Sequence, residues 1–123
     1  MIQSSKKCLV VDDLPFNTQV LKAQLNHLGY AVDCCFSGKK AITQAFEHDY
    51  DFIFMDISMP DMSGDEAATS ILKYSSKEPA PIIFALSGHD EPQVLPQCFN
   101  LWLTKPVNKQ QLSEIMHNSI IKS

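Results

Sequence analysis

Five short apolar runs alternate with longer stretches in which apolar residues return every three or four positions. Cys8–Val11, Phe52–Met55 and Ile82–Leu86 are continuous runs of four or five residues, too short for buried helices and rich in β-branched or aromatic side chains. Ala31 to Phe36 reads as a further strand with Val32 and Cys34 on one face, and Phe99 to Leu103 as the fifth. Between them the period changes. Pro15 suits a first helical turn, Val20, Leu21, Leu25 and Leu28 follow at helical spacing, and Gly29 stops the run. Ser37 can cap a second helix whose stripe is Ala41, Ile42, Ala45 and Phe46. Ser63 and Glu66 have capping-box spacing ahead of Ala67, Ala68, Ile71 and Leu72. A last helix carries Leu112, Ile115, Met116, Ser119 and Ile120 on one stripe.

Strands alternating with helices predict an α/β domain: a five-stranded, doubly wound parallel sheet with helices on both faces. In such sheets the carboxyl ends of the strands share one edge, where ligands bind. The groups ending the apolar runs are Asp12 and Asp13, Asp56, Ser87 and Lys105. The topology therefore predicts that three carboxylates, a hydroxyl and an amine converge, although they span most of the chain.

Composition narrows the reading. A chain of 123 residues with 45% hydrophobic content fits one globular domain over residues 1–123, with its core at about 6–121. No apolar run approaches the roughly 20 residues of a membrane helix, so no membrane insertion is expected. The first residues lead straight into a strand and do not resemble a signal peptide. Net charge is −4 and all ten basic residues are Lys. Without Arg, direct nucleic-acid binding is not expected. Cys8, Cys34, Cys35 and Cys98 contain no CxxC and read as free thiols in a reducing, cytoplasmic setting. Lys6–Lys7 and Lys39–Lys40 read as solvated faces, and His27, His48 and His117 lack metal spacing.

Crowded carboxylates repel one another, and a hard divalent cation resolves the conflict. Mg²⁺ fits best, with Mn²⁺ as its substitute. A carboxylate beside Mg²⁺ and Lys105 is a nucleophile suited to phosphorus, forming an aspartyl phosphate, and Ser87 offers a hydroxyl to the new phosphoryl oxygens.

Val11-Asp12-Asp13, the run Met55 to Gly64 with Asp56 and Met59-Pro60, Ala85-Leu86-Ser87 and Thr104-Lys105-Pro106 resemble the receiver domain of two-component response regulators. They stand in the family's order and cover nearly the whole chain. The Asp13 to Tyr30 stretch most resembles receivers of hybrid sensor histidine kinases. The resemblance implies a flavodoxin-like sheet of order 2-1-3-4-5. It also implies phosphorelay signalling, in which Asp56 accepts a phosphoryl group from a phosphohistidine on a histidine kinase or phosphotransfer protein. A conformational change then addresses an output partner that the sequence does not name. Such a domain phosphorylates and dephosphorylates itself and is not a turnover enzyme. Asp13 would ligate Mg²⁺ directly and Asp12 through water, with Asp56 and the Ser58 backbone carbonyl completing the protein ligands. Lys105, usually followed by a cis peptide bond, would bridge Asp56 and the phosphoryl group. Ser87 would move onto that group. Ser58 and His89 stand at the positions that tune phosphoryl lifetime. Trp102 stands where an aromatic switch residue swings inward, although a Trp in the fifth strand also suits core packing or a fixed docking surface.

The departures concern the segment after Ser87. Ser87 to Lys105 is shorter than the family's usual span by about one helical turn, and Pro92 and Pro96 fall within it. A fourth helix, between the fourth and fifth strands, is therefore predicted to be short or irregular, with an altered output surface. That alteration supports an alternative, a receiver-like module that binds its partner regardless of phosphorylation. A haloacid-dehalogenase-type phosphatase is a weaker rival, since Asp56-Ile57-Ser58 lacks a second Asp two residues on. A flavodoxin is weaker still, since its phosphate loop would not carry Asp12-Asp13.

Overall fold

A computed structural model describes residues 6–122. Its elements run β1 (Lys7–Val11), α1 (Pro15–His27), β2 (Ala31–Cys35), α2 (Gly38–Glu47), β3 (Phe52–Asp56), α3 (Gly64–Tyr74), β4 (Ile82–Ser87), β5 (Leu101–Thr104) and α4 (Lys109–Lys122). All strands are parallel, in the order β2-β1-β3-β4-β5, as predicted. No helix among the described residues is long and apolar enough to cross a membrane.

The continuous apolar runs are buried on both faces because each face has its own helix layer. Leu9, Val11, Ile53, Met55, Ile83 and Ala85 pack toward Ala41 of α2 and Ala67, Ala68 and Ile71 of α3. Cys8, Val10, Phe52, Phe54, Phe84 and Leu86 pack toward Leu21 and Leu25 of α1 and Leu112 and Met116 of α4. The second layer is the bulkier one. Phe84 stacks on Phe52 with ring centroids 6.2 Å apart and lies 4.8 Å from Phe54, whereas the first layer is faced by alanines. Burial holds the thiols of Cys8 and Cys35 protonated, each with its pKa pushed up to about 12, and all four cysteines are free.

Helix boundaries follow local chemistry. Gly29, at φ 99°, takes the left-handed conformation that ends α1. The Ser37 hydroxyl accepts from the Lys40 amide at 3.1 Å. Ser63 and Glu66 form the complete capping box at the start of α3.

Several expected positions differ. In α1 the buried stripe is Thr18, Leu21 and Leu25, while Val20 and Leu28 are exposed. Thr18 can be buried because its hydroxyl donates to the Pro15 carbonyl at 2.7 Å. Phe46 of α2 points to solvent. Ile120 falls where side chains lie outside the described residues. Lys7 is not simply solvated: its ammonium pairs with Asp33 at 3.2 Å and lies 5.5 Å over the Tyr50 ring.

The largest difference is between β4 and β5. Residues 88–100 form turns and bends without a helix, so the fourth helix expected to be short or irregular is replaced by an irregular loop, and the described residues contain four helices. The prolines and the shortened span account for this. Leu95, Cys98, Phe99 and Trp102 pack against the α2–α3 side of the sheet in its place. β5 starts two residues later than predicted. Phe99 turns into the core, and the Asn100 side-chain oxygen accepts from the Ile83 amide at 2.8 Å, replacing a ladder bond.

Candidate functional site

Each strand delivers its terminal residue to the same edge. Asp12 follows β1 directly, and its amide donates to the Cys35 carbonyl at 3.3 Å, which extends the β1–β2 ladder by one step. Its carboxylate is 1% exposed and fully engaged. Oδ1 accepts from the Leu14 amide at 3.0 Å, and Oδ2 accepts from the Asn17 side-chain amide and from Lys105 Nζ, each at 3.2 Å. Asp13 is half-buried beside it.

Asp56 closes β3 at 3% exposure. Its Oδ1 accepts from the Ser58 amide at 3.2 Å and faces Lys105 Nζ at 3.2 Å. The turn beyond it is compact because Gly64 lies against Asp56's own backbone; a Cβ there would collide with the Asp56 carbonyl oxygen. The Gly64 amide donates to the Ile57 carbonyl at 2.9 Å.

The carboxylates of Asp12, Asp13 and Asp56 each place an oxygen within 4.8 Å of the others. Three negative charges against the single ammonium of Lys105 leave an excess of two, on hard oxygen donors. That set fits a divalent cation such as Mg²⁺. Burial pushes the Asp56 pKa up, and the neighbouring Asp12 carboxylate adds to the rise; Lys105 opposes it without cancelling it. For Lys105, burial acts to lower the pKa, but the Asp56 and Asp12 carboxylates outweigh it and the amine stays above its ordinary value. A reluctant carboxylate beside a firmly charged amine is an arrangement that an added cation relieves.

Ser87 ends β4 at the same edge and is buried. Its carbonyl accepts from the Lys105 amide at 2.7 Å, which joins the two loops of the site. Its hydroxyl accepts from the His89 amide at 3.0 Å. The peptide bond between Lys105 and Pro106 is cis. Trp102 is half-buried and donates its indole N–H to the His89 carbonyl at 3.0 Å. His89 thus meets both Ser87 and Trp102 through its backbone, and the residue itself is exposed.

The structure therefore brings Asp12, Asp13, Asp56 and Lys105 into one cluster, with Ser58 bonded to Asp56 and Ser87 tied to Lys105. Asn17, which orients Asp12, is legible in the sequence only as the Asn of Pro15-Phe16-Asn17 within the Asp13 to Tyr30 resemblance, with no role assigned to it. Exposed Leu14, Phe16 and Val20 flank the site along α1. With Pro106 and Val107, Phe16 and Val20 border a groove of about 320 Å³ that reaches Asp12 and Lys105.

Residues 8–117 match the response regulator receiver domain family, and the chain belongs to that family, whose members are regulatory domains of two-component signalling. A segment of the signal transduction histidine-protein kinase BarA of Escherichia coli is 31% identical over 112 residues, covering 88% of this chain and 12% of that kinase. The chain is also similar to the response regulator TrrA of Thermotoga maritima, solved in complex with Mg²⁺-BeF, with a TM-score of 0.82 and 30% identity over 93% of this chain and 98% of that one. A third likeness is the receiver domain of a Pseudomonas aeruginosa sensor histidine kinase, solved with a magnesium ion coordinated in its active site cleft. It has a TM-score of 0.82 and 28% identity, covering 95% of this chain and 98% of that one.

Proposed function

We propose that this chain is a phosphorelay receiver that takes a phosphoryl group from a phosphohistidine onto Asp56 in a Mg²⁺-dependent reaction. The observation that carries the reading is the buried cluster in which Asp56 and Asp12 share Lys105 Nζ at 3.2 Å each, with Asp13 alongside.

Asp12, Asp13, Asp56 and the Ser58 backbone carbonyl would hold the metal. The cation supplies neutralisation of charge on the phosphoryl oxygens. The chain's own residues do the rest. An Asp56 carboxylate oxygen forms the new bond to phosphorus as the N–P bond breaks. The electron pair of that bond returns to the donor imidazole. Lys105 holds the attacking carboxylate by its charge and meets the phosphoryl oxygens from the same position. The Ser58 amide fixes the carboxylate's orientation, and Asn17 and the Leu14 amide fix Asp12. The Ser87 hydroxyl leaves the His89 amide to bond a phosphoryl oxygen, and Trp102, bonded to the same residue, follows. Ser58 and His89 set the access of water to the phosphoryl group and hence its lifetime.

The partner is a histidine kinase or phosphotransfer protein in the cytoplasm, and the apolar rim of Leu14, Phe16 and Val20 offers it a surface beside Asp12 and Lys105. The domain turns over no external substrate beyond its own phosphorylation and dephosphorylation.

Incubation with acetyl phosphate and Mg²⁺ should add one phosphoryl group by intact mass. The Asp56→Asn variant should remain unlabelled, EDTA should abolish labelling, and the single Trp should change its fluorescence. An undiminished label on Asp56→Asn would sink the reading. The loop at 88–100 favours a second reading, a receiver-like module that binds irrespective of phosphorylation. Equal binding of one partner by wild type and Asp56→Asn, with no labelling of either, would establish that one instead.

A further inference from the structure

The loop from Ile57 to Ser63 joins Asp56 to α3 and carries Ser58. Its two ends are pinned to the sheet and to α3. The Ile57 amide donates to the Leu86 carbonyl at 3.0 Å, and Ser63 belongs to the α3 capping box. Between them the Ser58 amide donates to Asp56 Oδ1 at 3.2 Å, and the part of the loop beyond Ser58 is also held from α2. The Asp61 carboxylate crosses to α2, accepting from the Gly38 amide at 3.2 Å through Oδ1 and from the Lys39 amide at 3.0 Å through Oδ2. Both amides lie in the first helical turn and have no intrahelical partner. Ser37, the helix's own cap, serves the next amide, that of Lys40. The division of labour is clear: α2 has a local cap, and its first two donors are given to the loop.

A second contact lies beside this one. The Met62 side chain fills the space where a Cβ on Gly38 would stand, so only glycine at 38 lets loop and helix approach this closely. The Gly38 and Lys39 amides also hold the Asp61 carboxyl below the usual carboxylate range, led by Lys39, so it remains an anionic acceptor at neutral pH.

We propose that Asp61 is a positioning residue for the phosphoryl-transfer site: by clamping the 57–63 loop to the N-terminus of α2 through two amides, it sets where the Ser58 backbone stands relative to Asp56. This rests on the reading of Asp56 and Ser58 as metal-binding and phosphoryl-accepting groups. Asp61 itself touches neither metal nor phosphorus.

The test compares wild type, Asp61→Ala, Asp61→Asn and Ser37→Ala. Mg²⁺ affinity is read by calorimetry, the rate of labelling by acetyl phosphate by intact mass, and the melting temperature by circular dichroism. Asp61→Ala is expected to lower Mg²⁺ affinity and labelling rate on the order of tenfold, as loss of a group that orients a metal ligand does. Asp61→Asn, which keeps one oxygen acceptor, should fall between. Ser37→Ala removes a cap from the same helix without touching the loop; it should lower the melting temperature and leave affinity and rate unchanged. A drop in melting temperature alone for Asp61→Ala would overturn the proposal, as would equal losses in Asp61→Ala and Ser37→Ala. If wild type neither binds Mg²⁺ nor accepts a phosphoryl group, the reading of Asp56 fails first and takes the role of Asp61 with it.

Discussion

At the scale of single residues, this protein separates charges that serve the fold from charges that serve the site. Asp33 belongs to the first kind. Burial acts to raise its pKa, but the Tyr50 hydroxyl, which donates to it at 2.6 Å, and the Lys7 ammonium outweigh that and bring it below the ordinary value. A carboxylate depressed in the fold stabilises it fully above the unfolded value near 3.8, and the contribution disappears as pH falls through the folded value. Tyr50→Phe should therefore cost about 1 kcal/mol at pH 7, reduced from a fully buried charged bond by solvent screening. The cost should shrink below the unfolded value. Urea melts at pH 7 and pH 3 check this, and a cost that does not change with pH would mean that the charge on Asp33 adds nothing. Asp56 has the opposite sign: its raised pKa marks a carboxylate the metal-free fold holds at a disadvantage. Their places already differ in the sequence, since Asp56 ends an apolar run and Asp33 lies inside one. The convergence of Asp12 and Lys105 on Asp56 followed from the topology, whereas the partners of Asp33, Tyr50 and Lys7, did not. Asn17 and Asp61 stand in stretches that carry the resemblance, but their roles were not legible, since their hydrogen bonds depend on how neighbouring segments are brought together.

At the scale of elements, the rules that worked were those with a local cause. The Ser63–Glu66 pattern predicted a capping box, and the Ser63 hydroxyl does accept from the Glu66 amide while Glu66 returns a bond to the Ser63 amide. Ser63→Ala should cost about 1 kcal/mol of stability, measured by denaturant unfolding, and a loss below a few tenths would mean that neighbouring loop contacts carry the cap. Rules that assumed a uniform stripe worked less well. Val20 and Phe46 sit at helical spacing yet face solvent, because spacing gives a period and leaves the width of the buried face to the neighbouring layer. On the α2–α3 side that layer is built from Ala41, Ala67 and Ala68, all 0% exposed, so close packing leaves no room for a wide stripe. The missing helix was legible as a deficit, in Pro92, Pro96 and the short span. Its replacement was not, because the inward turn of Phe99 and the bond from Ile83 to Asn100 are tertiary choices.

At the scale of the whole molecule, the alternation of strand and helix was enough to bring residues 12, 13, 56, 87 and 105 to one edge, since parallel crossovers leave few other topologies. Charge balance there follows from the count of groups and was legible too. The conformation of the 88–100 loop and the Trp102–His89 bond were not.

That loop has a consequence for how such a protein can change over time. One end follows Ser87, whose carbonyl accepts from the Lys105 amide at 2.7 Å, and the other runs into β5, so the thirteen residues from 88 to 100 behave as a cassette. Adding four residues to a closed loop of that length costs only about 0.2 kcal/mol of closure entropy. A Gly-Ser-Gly-Ser insertion after Glu91, in an exposed stretch, should leave labelling of Asp56 by acetyl phosphate within about twofold of wild type, a change worth less than ~0.5 kcal/mol; a loss of labelling would show that the cassette is wired into the reaction. If the insertion is tolerated, lineages could rewrite what the signal says without retuning the reaction that writes it.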